Sequence, residues 1–242
     1  MTLDEGEAAP DDLLPHVPLP VLDLDLPTSQ QIHGALRAAI LSLALPPGTR
    51  ISETEAGARF GASRTPVREA MTWLRDEGLI VTRPSRGNFV TPLSEDGIRS
   101  AQFIREALEM AAMVRICANG LSPEDDERMA AALTAQGNAI SLGDTAAFHA
   151  ADDEFHAALA GATGLPRVRT LVVREKTALD RLRALRLNDV AHLRMLEDEH
   201  RRILNALRKG REDRARRVMT RHLTSVLDVL EDLKASHAHY FE

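Results

Sequence analysis

A mainly α-helical chain, with one short β-hairpin between a small N-terminal helical part and a larger C-terminal one, is the fold this sequence predicts. Three observations carry it. Apolar residues recur at helical spacing along most of the 242 residues. The clearest β-rich runs flank a turn, with Leu79-Ile80-Val81-Thr82-Arg83 before Pro84-Ser85-Arg86-Gly87 and Asn88-Phe89-Val90-Thr91 after it. Gly and Pro fall mainly between the periodic segments.

Taken in order, residues 1–27 hold seven acids and no Lys or Arg, and their Pro and Asp without helical period predict a mostly disordered tail. From Ser29 onward, Ile32, Leu36, Ile40 and Leu43 line one face of a first helix, which Pro46-Pro47-Gly48 stops. Ser52-Glu53-Thr54-Glu55 has the form of a capping box and starts a short helix that ends near Gly61. Ser63 can cap the third helix, which has Pro66 in its first turn and Gly78 past its end. With the hairpin, this first part is expected to span 28–92. After Pro92 no strand signal recurs. Ser94, Ser122-Pro123-Glu124 and Asp144 start three helices, and others run from about Leu165, Val190 and Glu212. Residues 93–242 are therefore expected to form an all-α bundle of about six helices. Trp73, among Leu74, Leu79 and Ile80, reads as core. The single cysteine, Cys117, excludes an internal disulfide framework, and its apolar neighbours predict a buried, inert thiol.

No apolar run approaches the roughly 20 residues of a membrane helix, and the acidic N-terminus has no signal-peptide pattern, so a cytoplasmic protein without a membrane partner is expected. The net charge of −6 argues against nucleic acid until it is divided: residues 28–92 carry eight arginines against five acids. Three short helices and a hairpin are the layout of a winged helix-turn-helix, with Gly61-Ala62-Ser63 as the turn. Recognition helices meet base edges and phosphates with their N-terminal residues. Ser63, Arg64, Thr65 and Arg68 are therefore candidate DNA contacts, and Arg86 and Asn88 of the hairpin are candidate backbone or minor-groove contacts.

The bundle carries polar residues on apolar stripes. Asp152 and His156 lie with Phe148, Phe155 and Leu159; His200 lies among Leu196, Ile203 and Leu204; His222 continues Met219, Val226 and Val229. Buried charge needs a partner. One carboxylate and three imidazoles, two of them at i, i+4, suit a divalent transition ion (Zn²⁺, Ni²⁺, Mn²⁺ or Fe²⁺, with zinc expected in isolated protein), and a metal-free Asp–His network is the alternative. His149 and Asp153 lie off the stripe and read as surface, His192 as a cap or surface residue, and His237 and His239 as part of a fraying C-terminus. Arg105 faces inward between Ile98, Ala101, Leu108 and Ala112; it either pairs with Glu109 or holds an acidic effector. An enzyme is not expected: the pattern offers no glutamate placed as a general base and no nucleophile elbow.

Ser63-Arg-Thr-Pro-Val-Arg-Glu-Ala70, with Leu74-Arg-Asp-Glu-Gly-Leu-Ile80 and Pro84-Ser-Arg-Gly-Asn-Phe-Val90, resembles the GntR family of transcriptional regulators, and the helical remainder resembles the FadR-type branch with an FCD sensor domain. The resemblance covers about residues 29–235. It implies a homodimer on a short palindromic operator, usually a repressor released by a small metabolite, for which a small carboxylate is the first candidate. It also implies metal ligation by Asp152, His156, His200 and His222, and an effector contact at Arg105. Where many such domains have Ser-Gly-Asn, this chain has Thr163-Gly164-Leu165.

Overall fold

A computed structural model of the chain describes residues 17, 19–23, 25–185 and 190–242. It divides into two compact units, Met1–Ser94 with His237–Glu242, and Glu95–Ser236.

The first unit runs α1 (Thr28–Leu41), β1 (Arg50–Ile51), α2 (Glu53–Phe60), α3 (Arg64–Asp76), β2 (Ile80–Arg83) and β3 (Gly87–Val90). Its core is the α1 stripe Ile32, Leu36 and Ile40 against Val67, Met71 and Leu74 of α3. Leu43 does not extend the α1 stripe: α1 stops at Leu41, Leu43 takes φ +61°, and Leu45 is the residue that becomes buried. Ser52 caps α2, its hydroxyl accepting from Glu55 N–H at 3.4 Å, and Gly61 ends that helix at φ +62°, where a Cβ would be strained. The expected hairpin gains a third strand, because β1 pairs antiparallel with β3 in the order β1-β3-β2. Two residues between a glycine turn and a capping box are too short to read as a strand from sequence. At the tip, Arg86 N–H donates to Arg83 C=O at 3.0 Å, with Ser85 at φ +60°. Trp73 is half-buried rather than core, its ring edge against His33.

Two sequence expectations need correction here. Residues 1–16, 18 and 24 of the acidic tail lie outside the described residues, but its last part is built into the unit. Val17 is buried in the core, its C=O accepts from Arg59 Nη2 at 2.7 Å, and Leu19 and Leu22 pack beside it. Short apolar side chains spaced by prolines have no helical period, yet they still gain by burial. The chain end is likewise held: Ala238–Tyr240 form a 3₁₀ turn, Leu93 pairs with Phe241 in a parallel bridge, and Leu93 N–H donates to Tyr240 C=O at 2.7 Å.

The second unit is helical: α4 (Glu95–Asn119), α5 (Pro123–Leu142), α6 (Thr145–Gly161), α7 (Pro166–Ala184), α8 (Val190–Arg208), α9 (Glu212–Thr224) and α10 (Leu230–Ser236). Ser122 and Asp144 cap α5 and α6 by accepting from Asp125 N–H at 3.1 Å and Ala147 N–H at 2.9 Å. The last predicted helix is broken between Thr224 and Leu230; Ser225 Oγ donates back to His222 C=O at 2.8 Å at the end of α9. Phe155 and Leu159 of α6, Ile203 and Leu207 of α8 and Met219 of α9 share one core. Cys117 is only partly covered beside it, and burial pushes its thiol up. Among the described residues no helix is long and apolar enough to cross a membrane.

Candidate metal centre and nucleic-acid interface

Helical periodicity brings Asp152 and His156 one turn apart on α6, His200 to the middle of α8 and His222 near the end of α9, all buried. One donor atom from each of the four lies within 4.8 Å of all the others. The imidazoles meet through Nε2: His200 to His222 at 3.0 Å and His222 to His156 at 3.2 Å. Asp152 Oδ1 stands 3.5 Å from His200 Nε2 and 3.9 Å from His156 Nε2, and it accepts no hydrogen bond from a described residue.

What turns the three Nε2 atoms inward is a second ring of residues on the outer nitrogens. His156 Nδ1 lies 2.5 Å from Glu109 Oε2, His222 Nδ1 lies 3.0 Å from Glu199 Oε2, and His200 Nδ1 lies 3.0 Å from Gln136 Oε1. An ionised carboxylate can only accept, so each Nδ1 facing a glutamate carries the proton and its Nε2 presents a lone pair. Lone pairs about 3 Å apart in a dry core repel one another. A cation bound by Asp152, His156, His200 and His222 satisfies the three nitrogens and the orphaned Oδ1 together, so this donor set fits a divalent transition ion.

The electrostatics keep these groups in ligating form. Burial opposes ionisation of Glu109, yet Arg105 and His156 outweigh it and hold its pKa at about 2. Burial likewise opposes Asp152, but Lys176 and then Arg183 hold it well below the usual carboxylate range. Burial lowers the pKa of His200 well below its ordinary value, and that of His222 with partial relief from Glu199. His149, beside the cluster, is pushed down to about 4 by burial and then by Arg183. A histidine whose folded pKa is depressed stays neutral while the unfolded chain takes a proton, so stability is lost as pH falls below about 6.5. Protein stripped with a chelator is therefore expected to melt roughly 5–10 °C lower at pH 5.0 than at pH 7.5, with His149 alone contributing of order 2 kcal/mol over that range. Equal melting temperatures would contradict this charge-state assignment.

Several of these residues were not singled out from sequence. Gln136 continues the α5 stripe Met129, Ala132 and Ala139, and Lys176 shares the buried face of α7 with Val172 and Leu179, so the same periodic signal marks them. Lys176 Nζ approaches Asp152 Oδ2 at 2.8 Å and also contacts Asp153, which corrects the reading of Asp153 as a plain surface residue. Glutamates do lie beside the histidines, but Glu109 and Glu199 face Nδ1, away from the converging Nε2 atoms. Arg105 takes its i, i+4 partner: its Nε donates to Glu109 Oε1 at 2.9 Å, and its side chain is 1 % exposed. It nevertheless borders a cavity of about 40 Å³ next to the cluster. His149 and His192 also line that cavity, so neither is merely a surface residue.

In the first unit, Ser63, Arg64, Thr65 and Arg68 are all exposed at the start of α3. Ser63 occupies the N-cap position but its side chain accepts no capping bond, which leaves its hydroxyl available. Arg68 Nε donates to Glu53 Oε2 of α2 at 2.9 Å. Arg86 is exposed at the hairpin tip. Asn88 is buried instead, its Oδ1 accepting from Thr82 Oγ1 at 2.7 Å and Arg75 Nη1 at 3.3 Å, so its side chain ties the hairpin to α3.

Residues 28–90 match the family model for bacterial regulatory proteins of the gntR family, and residues 102–225 match the FCD domain. The chain is 33% identical over 215 residues to the HTH-type transcriptional repressor RspR of Escherichia coli (strain K12), covering 89% of this chain and 94% of that one. It is 34% identical over 212 residues to an HTH-type transcriptional regulator of Streptomyces ambofaciens, covering 88% and 89%. Among solved structures, E. coli McbR/YncC matches with a TM-score of 0.73 at 20% identity over 86% of this chain and 98% of that one, a likeness of fold. A transcriptional regulator from Rhodococcus sp. RHA1 matches with a TM-score of 0.69 at 26% identity over 84% and 97%.

Proposed function

The chain belongs to the GntR family of bacterial transcriptional regulators and carries an FCD domain, and we propose from that premise that it is a homodimeric repressor whose operator binding is governed by a small carboxylate in a metal-containing helical sensor. One observation carries the sensor half of this reading. Three imidazoles from three helices aim their Nε2 atoms at one another and at an orphaned carboxylate oxygen, while Glu109, Gln136 and Glu199 hold their outer nitrogens. That arrangement stabilises nothing by itself and calls for a cation. When bound there, a divalent ion supplies positive charge and open coordination positions next to the cavity. The chain's own residues then fix its ligands, exclude water and shape the pocket.

The DNA half rests on the exposed start of α3 and the hairpin tip. Ser63, Arg64, Thr65 and Arg68 would meet the major groove, and Arg86 the backbone or adjacent minor groove. Asn88 contributes by holding the wing against Arg75. As a helix-turn-helix dimer, the protein would read two half-sites of a palindrome about one helical turn apart. No enzymatic step is proposed, since Glu109 and Glu199 act on the outer side of the imidazoles and no activated nucleophile accompanies them.

The test combines metal analysis with DNA binding. Untagged protein purified without chelator should carry about one transition ion per chain, zinc first. Its binding to a palindrome selected from random DNA should be salt-dependent and should weaken when a small carboxylate is added to the metal-loaded form. No metal after incubation with Zn²⁺, Ni²⁺ and Mn²⁺ would remove the sensor half and leave the DNA-binding half standing.

A further inference from the structure

The cavity beside the cluster has two chemically different regions. Among the described residues its wall carries two guanidiniums, Arg105 and Arg183, with imidazoles and Ser225, and no carboxylate. The rest of the wall is aliphatic. On α8, Leu196 and Leu193 lie one and two turns before His200; Val226 and Val229 lie between α9 and α10, four and seven residues after His222; Leu179 and Leu182 precede Arg183 on α7. Seven residues of helix rise about 10 Å. Along α8 the apolar wall therefore runs about 10 Å away from the ligand cluster, while Arg183, at Asp152, and Arg105, at the Glu109 that faces His156, flank the cluster itself.

The two arginines are not equivalent. Arg105 is fully buried, its Nε and Nη2 both at Glu109 Oε1, so its charge is already cancelled. Arg183 is 16 % exposed, and its Nη1 reaches Asp152 Oδ2 at 2.7 Å. Lys176 Nζ holds that same oxygen at 2.8 Å. Arg183 is thus free to turn to an incoming anion without orphaning Asp152. His149, also on the wall, has a buried Nε2 with no hydrogen-bond partner among the described residues.

We infer that the effector is a monocarboxylate with an unbranched apolar chain, its head group received by Arg183 and His149 and its chain by the leucine and valine wall. This rests on the reading of the bundle as an effector sensor. A dicarboxylate or a polyhydroxylated acid would set polar groups against Leu193, Leu196, Val226 and Val229, where nothing replaces their lost water contacts.

The test is calorimetric titration of the metal-loaded full-length protein with butanoate, hexanoate, octanoate, succinate and gluconate. Affinity should rise about fourfold per added methylene along the aliphatic series. Hexanoate should bind at least tenfold tighter than succinate or gluconate. Arg183→Met should weaken hexanoate at least tenfold, and Arg183→Lys should recover part of that loss. Equal affinity along the series, tighter binding of gluconate or succinate, or an unaltered Arg183→Met protein overturns this inference while leaving the sensor reading intact. If none of the five acids binds, the sensor reading falls with it.

Discussion

Replacing His222 by alanine is expected to lower zinc affinity at least about a hundredfold, so that protein dialysed against a trace of metal keeps almost none. The reason is geometric. His222 Nε2 stands within 3.2 Å of both His200 Nε2 and His156 Nε2, so its loss opens the site rather than trimming its edge. His200→Ala should act alike. Glu109→Gln and Glu199→Gln give a graded control: each leaves every ligand in place but weakens the acceptor that fixes a ring nitrogen, and a loss of about 10–100-fold is expected. Elemental analysis and competition with a zinc indicator read both effects, and helical circular dichroism shows whether the fold persists. Undiminished zinc in His222→Ala protein would sink the four-ligand site.

On the DNA side, Arg64→Ala should cost about 1–3 kcal/mol of operator affinity, and Arg86→Ala should weaken all sequences about equally and lower the salt slope by about one. Fluorescence anisotropy at several salt concentrations separates the two. Glu53→Gln should move the other way. In the free protein Glu53 holds Arg68 by an exposed ion pair worth no more than about 1 kcal/mol. Removing that competitor, and its negative charge, should strengthen DNA binding several-fold. Weaker binding by Glu53→Gln would mean that the pair positions Arg68 rather than withholding it.

The distribution of what was legible follows from how each feature is encoded. The α3 start was readable because Ser63 to Arg68 are contiguous and capping is local. Asp152 with His156 was readable because one helix turn links them, and His200 and His222 because each interrupts an apolar stripe. Their convergence is a tertiary fact that periodicity can only hint at. Glu199, next to His200 in sequence, was harder still: adjacent residues on a helix point apart, and its partner is His222 on α9. Asn88 was misplaced because hairpin-tip composition says nothing about which side of the strand faces α3. Val17 and the Leu93–Phe241 bridge were invisible because neither has a period.

Ser85 gives the hairpin tip one more property. Held at φ +60° without being glycine, it costs about 1 kcal/mol of backbone strain in the free protein. That cost is met on folding, when the Arg83–Arg86 hydrogen bond closes over Pro84, whose own φ is fixed by its ring. Arg86 therefore leaves a backbone that is already narrow in its choices, and fewer conformations have to be surrendered when it meets a phosphate. A glycine at position 85 would relax the turn and stabilise the free wing locally, yet shift that entropic cost onto the association step, where it would appear as faster dissociation.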